Sequence, residues 1–403
     1  MDNAKKLAIV TFFSNLYFYN HVGTLYQQTR GLSLFQVNSI WSIIVGTIFL
    51  AEVPTGILAD KIGRKWSVVT ALLLQTLGEI FYFFAKDYFT FVLIAILAGI
   101  GYAFLSGANE ALIYDSLPEG GREPRMKKSM GFIGGAYHLA FFVAPLIGGL
   151  IVSELVLSNF LKAILFTACS VLVAFIVSLT LKEPQARYKH SEESPFTIFK
   201  DGFIEVKSSS KLKWLIAISV LTSTFSNSLI SLYQPYFAAA SMPTFWIGAS
   251  LSLAGLLAFL IQKYAYLIEE KIGRAGFLVV TIWPGIMYLL FAMASLPALL
   301  VPIFVITYAS MEAKNPLLSA YKNEQIKSKN RATVLSLINM FGSLYVALMS
   351  LVFGRIADYS IPITFATIGL LIVLFAVVLR TDKVAIQGVE SNKDWLLRRG
   401  SPE

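Results

Sequence analysis

The sequence predicts an all-α membrane protein of twelve transmembrane helices in two pseudo-symmetric six-helix bundles. Three observations predict it. The chain of 403 residues is 56 % hydrophobic and only 14 % charged, where a soluble globular domain carries about 25 % charged residues. Its mean hydropathy is +0.67. Apolar runs of about 20 residues, the length a helix needs to cross the hydrocarbon, recur along the whole chain and fall into two matching sets.

The first set of runs covers 7–29, 35–60, 67–86, 88–116, 129–153 and 160–182. The second covers 213–238, 244–266, 276–294, 298–323, 332–357 and 363–380. Lys5 and Lys6 precede a first span with no small-residue cleavage site behind it, so no cleavable signal is expected. The domains predicted are 1–182 (an N-terminal bundle), 183–212 (a central loop), 213–380 (a C-terminal bundle) and 381–403 (a tail). Within the loop, "FTIFKDGFIEV" can form a short amphipathic helix on the membrane surface.

With both termini cytoplasmic, every Lys and Arg lies on the inner side except Arg30, Lys86, Lys162, Arg355 and the intraspan Lys314. The net charge of +9 is therefore a positive-inside topology signal in a cell (inner) membrane, and nucleic acid is not an expected partner. One cysteine, Cys169, excludes a disulfide framework, and His21, His138 and His190 are too scattered for a metal motif. No cofactor is expected. An enzyme is disfavoured, since no nucleotide-binding loop and no nucleophile–base pair appears.

The two sets are repeats. An offset of 207 places "LYQ" (Leu25–Gln27) on "LYQ" (Leu232–Gln234), 210 superposes "DKIGR" on "EKIGR", and 206 puts Tyr102 on Tyr308 and Asn109 on Asn315. Parallel six-helix halves with a site at their interface are one transporter plan. Polar residues recur at helical spacing in corresponding spans. Span 1 carries Tyr17, Asn20, Thr24 and Gln27 with His21 beside them, and span 7 carries Thr224, Asn227, Ser231 and Gln234. Span 4 offers Tyr102, Ser106 and Asn109; span 10 offers Tyr308, Glu312, Asn315 and Ser319. Against lipid these stripes would be costly, so they face protein or water. They are read as lining a largely neutral, aromatic substrate cavity, the alternative for each residue being glue between helices.

Glu52, Glu79, Glu110 and Glu312 lie within spans. Glu312 ranks first as a proton-coupling site and Glu110 second, with Lys314 at a similar depth to pair with Glu110. Glu52 and Glu79 read as structural.

Between spans 2 and 3 stands "GILADKIGRK", whose Gly63 permits a tight turn held at the cytoplasmic face by cations. Gly56, Asp60, Lys61, Gly63, Arg64 and Lys65 match the signature of the major facilitator superfamily, and Glu270, Lys271, Gly273 and Arg274 form the degenerate copy between spans 8 and 9. The chain resembles that superfamily over essentially its whole length. The resemblance implies a gate: Asp60 caps the inner end of span 11, and Arg64 pairs with an acid on span 4, for which Asp115 fits. "APLIGG" (Ala144–Gly149) resembles a span 5 signature of exporters, with Ala144 for its first Gly. The Arg that drug–proton antiporters often carry in span 4 is replaced by Ala95. The expected function is alternating-access, proton-coupled efflux of a small amphipathic or lipophilic solute by a monomer; the alternative is proton-coupled import of a polar nutrient.

Overall fold

The computed structural model describes residues 2–118, 122–184, 206–207, 209–272, 276–326 and 331–381. The surface helix expected around 196–206 lies almost wholly outside them, and so does the tail beyond Thr381. Every regular element among the described residues is a helix. Among the described residues ten helices are long and apolar enough to cross a membrane, counting the pairs at Tyr88–Ser116, Leu212–Ala239 and Pro297–Ser319 as single crossings. The shorter apolar helix Phe277–Met293 and a divided first span complete the twelve crossings expected.

In chain order the helices are α1 (Asn3–Ser14), α2 (Gly23–Thr29), α3 (Leu34–Ile62), α4 (Arg64–Phe84), α5 (Tyr88–Leu105), α6 (Ala108–Ser116), α7 (Arg122–Ile151) and α8 (Leu157–Leu179). There follow α9 (Ser210–Leu221), α10 (Ser226–Ala239), α11 (Thr244–Ile272), α12 (Gly276–Met293), α13 (Pro297–Met311), α14 (Lys314–Gln325), α15 (Arg331–Tyr359) and α16 (Ile361–Val378). Side chains such as Leu50, Leu150 and Leu370 are 75 %, 65 % and 60 % exposed. That many large apolar groups would not be left to water; they form the surface offered to acyl chains.

The chain forms two compact units: Met1–His190 with Ile230–Gly255 and Ala347–Asp358, and Ser191–Leu229 with Leu256–Val346 and Tyr359–Glu403. In the first unit α4 packs on α5 and α8, α1 on α7 and α8, and α3 on α5. Its core near the Gly63 turn joins Leu7, Val68, Leu72, Leu112 and Ala174. In the second unit α12 packs on α16 and α13, and a separate core joins Leu215 and Ile218 of α9, Val280 of α12 and Val334 and Leu337 of α15. Gly285 and Gly369 let α12 and α16 touch backbone to backbone, since a Cβ at Gly369 would lie 2.6 Å from the Gly285 carbonyl oxygen.

Four crossings are broken midway. Span 1 is non-helical from Asn15 to Val22, span 7 from Thr222 to Phe225, span 4 at Ser106–Gly107 and span 10 at Glu312–Ala313. Gly107 (φ 71°), just past the end of α5, takes a left-handed backbone that stops a helix, and Phe225 (φ 54°) takes it immediately before α10. Within a membrane, freed backbone groups need protein partners, and neighbouring helices supply them. Thr167 and Ser170 of α8 bind the Phe18 N–H (3.0 Å) and the Phe13 carbonyl (2.8 Å), and Gln75 of α4 donates to the Ser14 carbonyl (3.1 Å). In the second unit the Tyr288 hydroxyl donates to the carbonyls of Thr224 (3.0 Å) and Phe225 (3.2 Å).

Candidate functional site

The breaks fall in spans 1, 4, 7 and 10, the four that carry the polar stripes, and they correspond under the repeat. Within the first unit, a cavity of about 360 Å³ opens beside the span 4 break, lined by Leu7, Thr11, Tyr102, Ser106, Asn109 and Glu110 among others. Tyr102, Ser106, Asn109 and Glu110 thus line one cavity. The Asn109 side-chain oxygen is buried without a hydrogen-bond partner among the described residues, a group that a solute or water in the cavity would satisfy. Glu110 stands in the first turn of α6, where the partial positive charge of the helix end favours a carboxylate.

On span 1, Gln75 donates to the Tyr17 hydroxyl at 2.7 Å. Gln27 is buried. His21 is also fully buried; neither ring nitrogen has a hydrogen-bond partner among the described residues. Thr24, Asn20 and Gln234 meet one another: the Thr24 N–H donates to Gln234 Oε1 (2.8 Å), and Gln234 Nε2 donates to the Asn20 carbonyl (3.0 Å). Ser231 donates to Asn38 Oδ1 at 3.1 Å. These groups join spans 1, 2 and 7 at the end of the bundle away from the Gly63 turn, while Asn227 is exposed.

In the second unit, Asn315 Nδ2 donates to Glu312 Oε2 at 3.2 Å across the span 10 break. Tyr308 stacks on Phe304 at a ring distance of 6.4 Å. Lys314 is buried, and its ammonium donates to the Thr222 carbonyl (2.6 Å) and hydroxyl. It therefore caps the negative end of α9; the expected partner Glu110 is not the group it holds here. Glu52 is exposed, and its carboxylate has no hydrogen bond or ion pair among the described residues.

At the signature turn, Gly63 has φ 97°, a conformation that favours glycine. Arg64 pairs with Asp60 at 3.0 Å. Glu183, which the sequence did not single out, receives the N–H groups of Arg64 and Lys65, each at 2.8 Å. It anchors the positive end of α4, and a Cβ at position 63 would lie 2.7 Å from its carboxyl carbon. Lys65 extends over the Trp66 ring; Gly56 and Lys61 are exposed. Asp115 sits on α6 with no hydrogen bond or ion pair among the described residues. The side chains of Glu270 and Lys271 lie outside the described residues, as do Gly273 and Arg274 entirely.

At the far end three helix contacts close over the first unit. Asp358 accepts from the N–H groups of Leu34 (2.7 Å) and Phe35 (3.2 Å), a carboxylate on the positive end of α3. Ser42 donates to the Ala347 carbonyl at 2.7 Å, and Thr244 to the Ser153 carbonyl at 3.0 Å. The "APLIGG" stretch supplies the remaining closeness. A Cβ at Gly148 would lie 1.9 Å from the Phe18 carbonyl oxygen, and one at Gly248 would lie 2.2 Å from that of Pro145.

Repeated spans, midway breaks and clustered polar groups define a membrane transporter. Residues 7–344 match the Major Facilitator Superfamily, and the chain belongs to it. It is similar to an uncharacterized MFS-type transporter of Methanocaldococcus jannaschii, 22 % identical over 83 % of this chain and 85 % of that protein. It is also similar to Multidrug resistance protein 2 of Bacillus subtilis, 25 % identical over 70 % of this chain and 72 % of that protein. Among solved structures, a mutant of the nucleoside transporter NupG superposes with a TM-score of 0.79 at 16 % identity, over 96 % of this chain and 100 % of that one. A POT family transporter in complex with 5-aminolevulinic acid gives 0.73 at 14 %, over 94 % and 96 %.

Proposed function

We propose that this transporter exports a small amphipathic or lipophilic solute by alternating access, driven by proton entry, with both termini cytoplasmic. The observation that carries the reading is the set of four repeat-related breaks, which bring polar side chains to mid-depth of otherwise apolar spans. Irregular backbone at that depth belongs where it lines a cavity. The solute touches Tyr102, Ser106 and Asn109 on the first half and Tyr308, Glu312 and Asn315 on the second, with Tyr17 and His21 beside them. Asn227 and Ser231 enter the lining when spans 1 and 7 part, as do Asn20, Thr24, Gln27 and Gln234.

Under the positive-inside topology the far end faces outward, so Asp358, Gly248 and Gln234 belong to the outer seal. The Gly56–Lys65 turn with Asp115 and the Glu270–Arg274 copy form the inner latch. Glu312 and Glu110 carry the coupling proton. Efflux is supported by the multidrug-named relatives and by the aromatic, nearly neutral lining. The competing reading, uptake of a polar solute, is favoured by the nucleoside and peptide transporters among the structural neighbours.

Proteoliposomes loaded with ethidium, with a pH gradient imposed in either sense, separate the two. Efflux predicts dye movement opposite to the proton, abolished in its pH dependence by Glu312→Gln. Dye movement with the proton, or a thermal-shift response to nucleosides and peptides but to no amphiphile, would replace efflux by import.

A further inference from the structure

The first unit holds an acid that the transport reading above does not use. Glu79 is 7 % exposed, within the span formed by α4 and toward its Phe84 end. Both of its carboxyl oxygens accept from the Tyr19 hydroxyl, at 2.9 and 3.1 Å. The titratable groups that face it are all tyrosines: Tyr17 and Tyr19 from the span 1 break, Tyr102 from α5, and Tyr82 on its own helix. No Lys, Arg or His is paired with it among the described residues. An ionised carboxylate there would have hydroxyl donors but no counter-charge, and the bilayer penalises an uncompensated charge heavily. A neutral acid would be easily held but keeps those donors ready for the anion. The site is built to hold either form.

Tyrosine hydroxyls extend from it toward the cavity. Gln75 donates to the Tyr17 hydroxyl oxygen, leaving the Tyr17 O–H free to donate elsewhere. Tyr17 lies within reach of both Glu79 and the Tyr102 hydroxyl. Tyr102 is 41 % exposed and lines the cavity at the span 4 break. Buried structural acids are ordinarily tied to a cation or to backbone N–H groups; this carboxyl instead holds a tyrosine hydroxyl, with Tyr17 and the cavity-lining Tyr102 nearby.

We propose that Glu79 is a proton-binding site of the transport cycle, connected to the cavity through Tyr17 and Tyr102. This rests on the proton-coupled reading above and adds to it a carboxyl in the first half, separate from Glu312. In the transfer, a proton arriving from the cavity is accepted by the Tyr102 hydroxyl, which passes its own proton to Tyr17. Tyr17 in turn passes one to a Glu79 oxygen, turning carboxylate into carboxylic acid. The reverse sequence returns it, each hydroxyl ends as it began, and no electrons move.

Two measurements test this. Infrared titration of the purified full-length protein, with no solute added, reads protonated carboxyl groups. The expected result is a carboxyl band that is lost as pH is raised, is missing from Glu79→Gln, is retained in Glu312→Gln, and is shifted in Tyr19→Phe. Tyr19→Phe keeps the acid and so covers a folding failure of the glutamine variant. A full band in Glu79→Gln together with an unshifted one in Tyr19→Phe overturns the proposal. In ethidium-loaded proteoliposomes, Glu79→Gln should lose the response to a pH gradient while retaining dye exchange; gradient-driven transport at the wild-type rate also overturns it. Wild-type transport indifferent to the gradient would instead remove the proton-coupled reading, and the infrared band would then decide on its own whether Glu79 takes up a proton.

Discussion

A methyl group at Gly248 is the sharpest perturbation of the far-end seal. The added Cβ would lie 2.2 Å from the Pro145 carbonyl oxygen, 3.2 Å from its carbon and 3.3 Å from the Gly149 Cα, whereas real Cβ contacts do not fall under 3.0 Å. All three atoms are backbone of α7, so no rotamer change relieves the overlap; α7 and α11 must separate by about 1 Å. Inserting a methylene-sized group into a packed interface costs about 1–3 kcal/mol. If the helices part when the far end opens, that cost falls on the closed state alone, and the equilibrium moves about 5- to 150-fold toward opening. The assay is maleimide labelling of Thr24→Cys in a Cys169→Ser background. Thr24 is buried under the seal at 4 % exposure, so its labelling rate reports the open fraction. Gly148→Ala serves as the contrast: its overlap, 1.9 Å from the Phe18 carbonyl oxygen, lies against span 1 and should lower thermal stability without raising the rate. Unchanged labelling in a stably folded Gly248→Ala protein would refute the claim that this contact distinguishes the two states.

Asp358→Asn removes the charge from the α3 N-terminus; at this exposed site the loss is about 0.5–1.5 kcal/mol, read as a several-fold faster labelling of the same cysteine. Glu183→Gln weakens the anchor on α4 by about 0.5–1 kcal/mol and should lower the melting temperature, with high salt narrowing the gap to wild type. Asp60→Asn breaks the 3.0 Å pair with Arg64 and should impair transport while ligand-induced thermal shifts persist; wild-type turnover would count against the latch.

Much of this molecule was legible because membrane insertion is governed by local composition. Twelve crossings, the duplication, the Gly63 turn and the small residues of "APLIGG" each depend on neighbours along the chain, and hydropathy or spacing reveals them. The polar stripes were legible as well, but not their partners. Thr24 and Gln234 were read with the cavity lining, and the folded chain sets them against each other 210 residues apart. Glu183 and Asp358 look like ordinary end-of-span charges until α4 and α3 start beside them, 119 and 324 residues away. Glu79 reads as structural from its own helix, where it shares a face with Gln75; the chain alone does not show that Tyr19, on another span, meets it.

The sequence by itself therefore determined which segments enter the membrane, since that follows from the free energy of transferring short stretches into hydrocarbon, and that they came as two copies, since motifs recur at matching offsets. Only the tertiary structure decided where each broken helix finds its backbone partners and which buried acid stands without a cation. Those outcomes depend on contacts between segments hundreds of residues apart, and no periodicity along the chain encodes them.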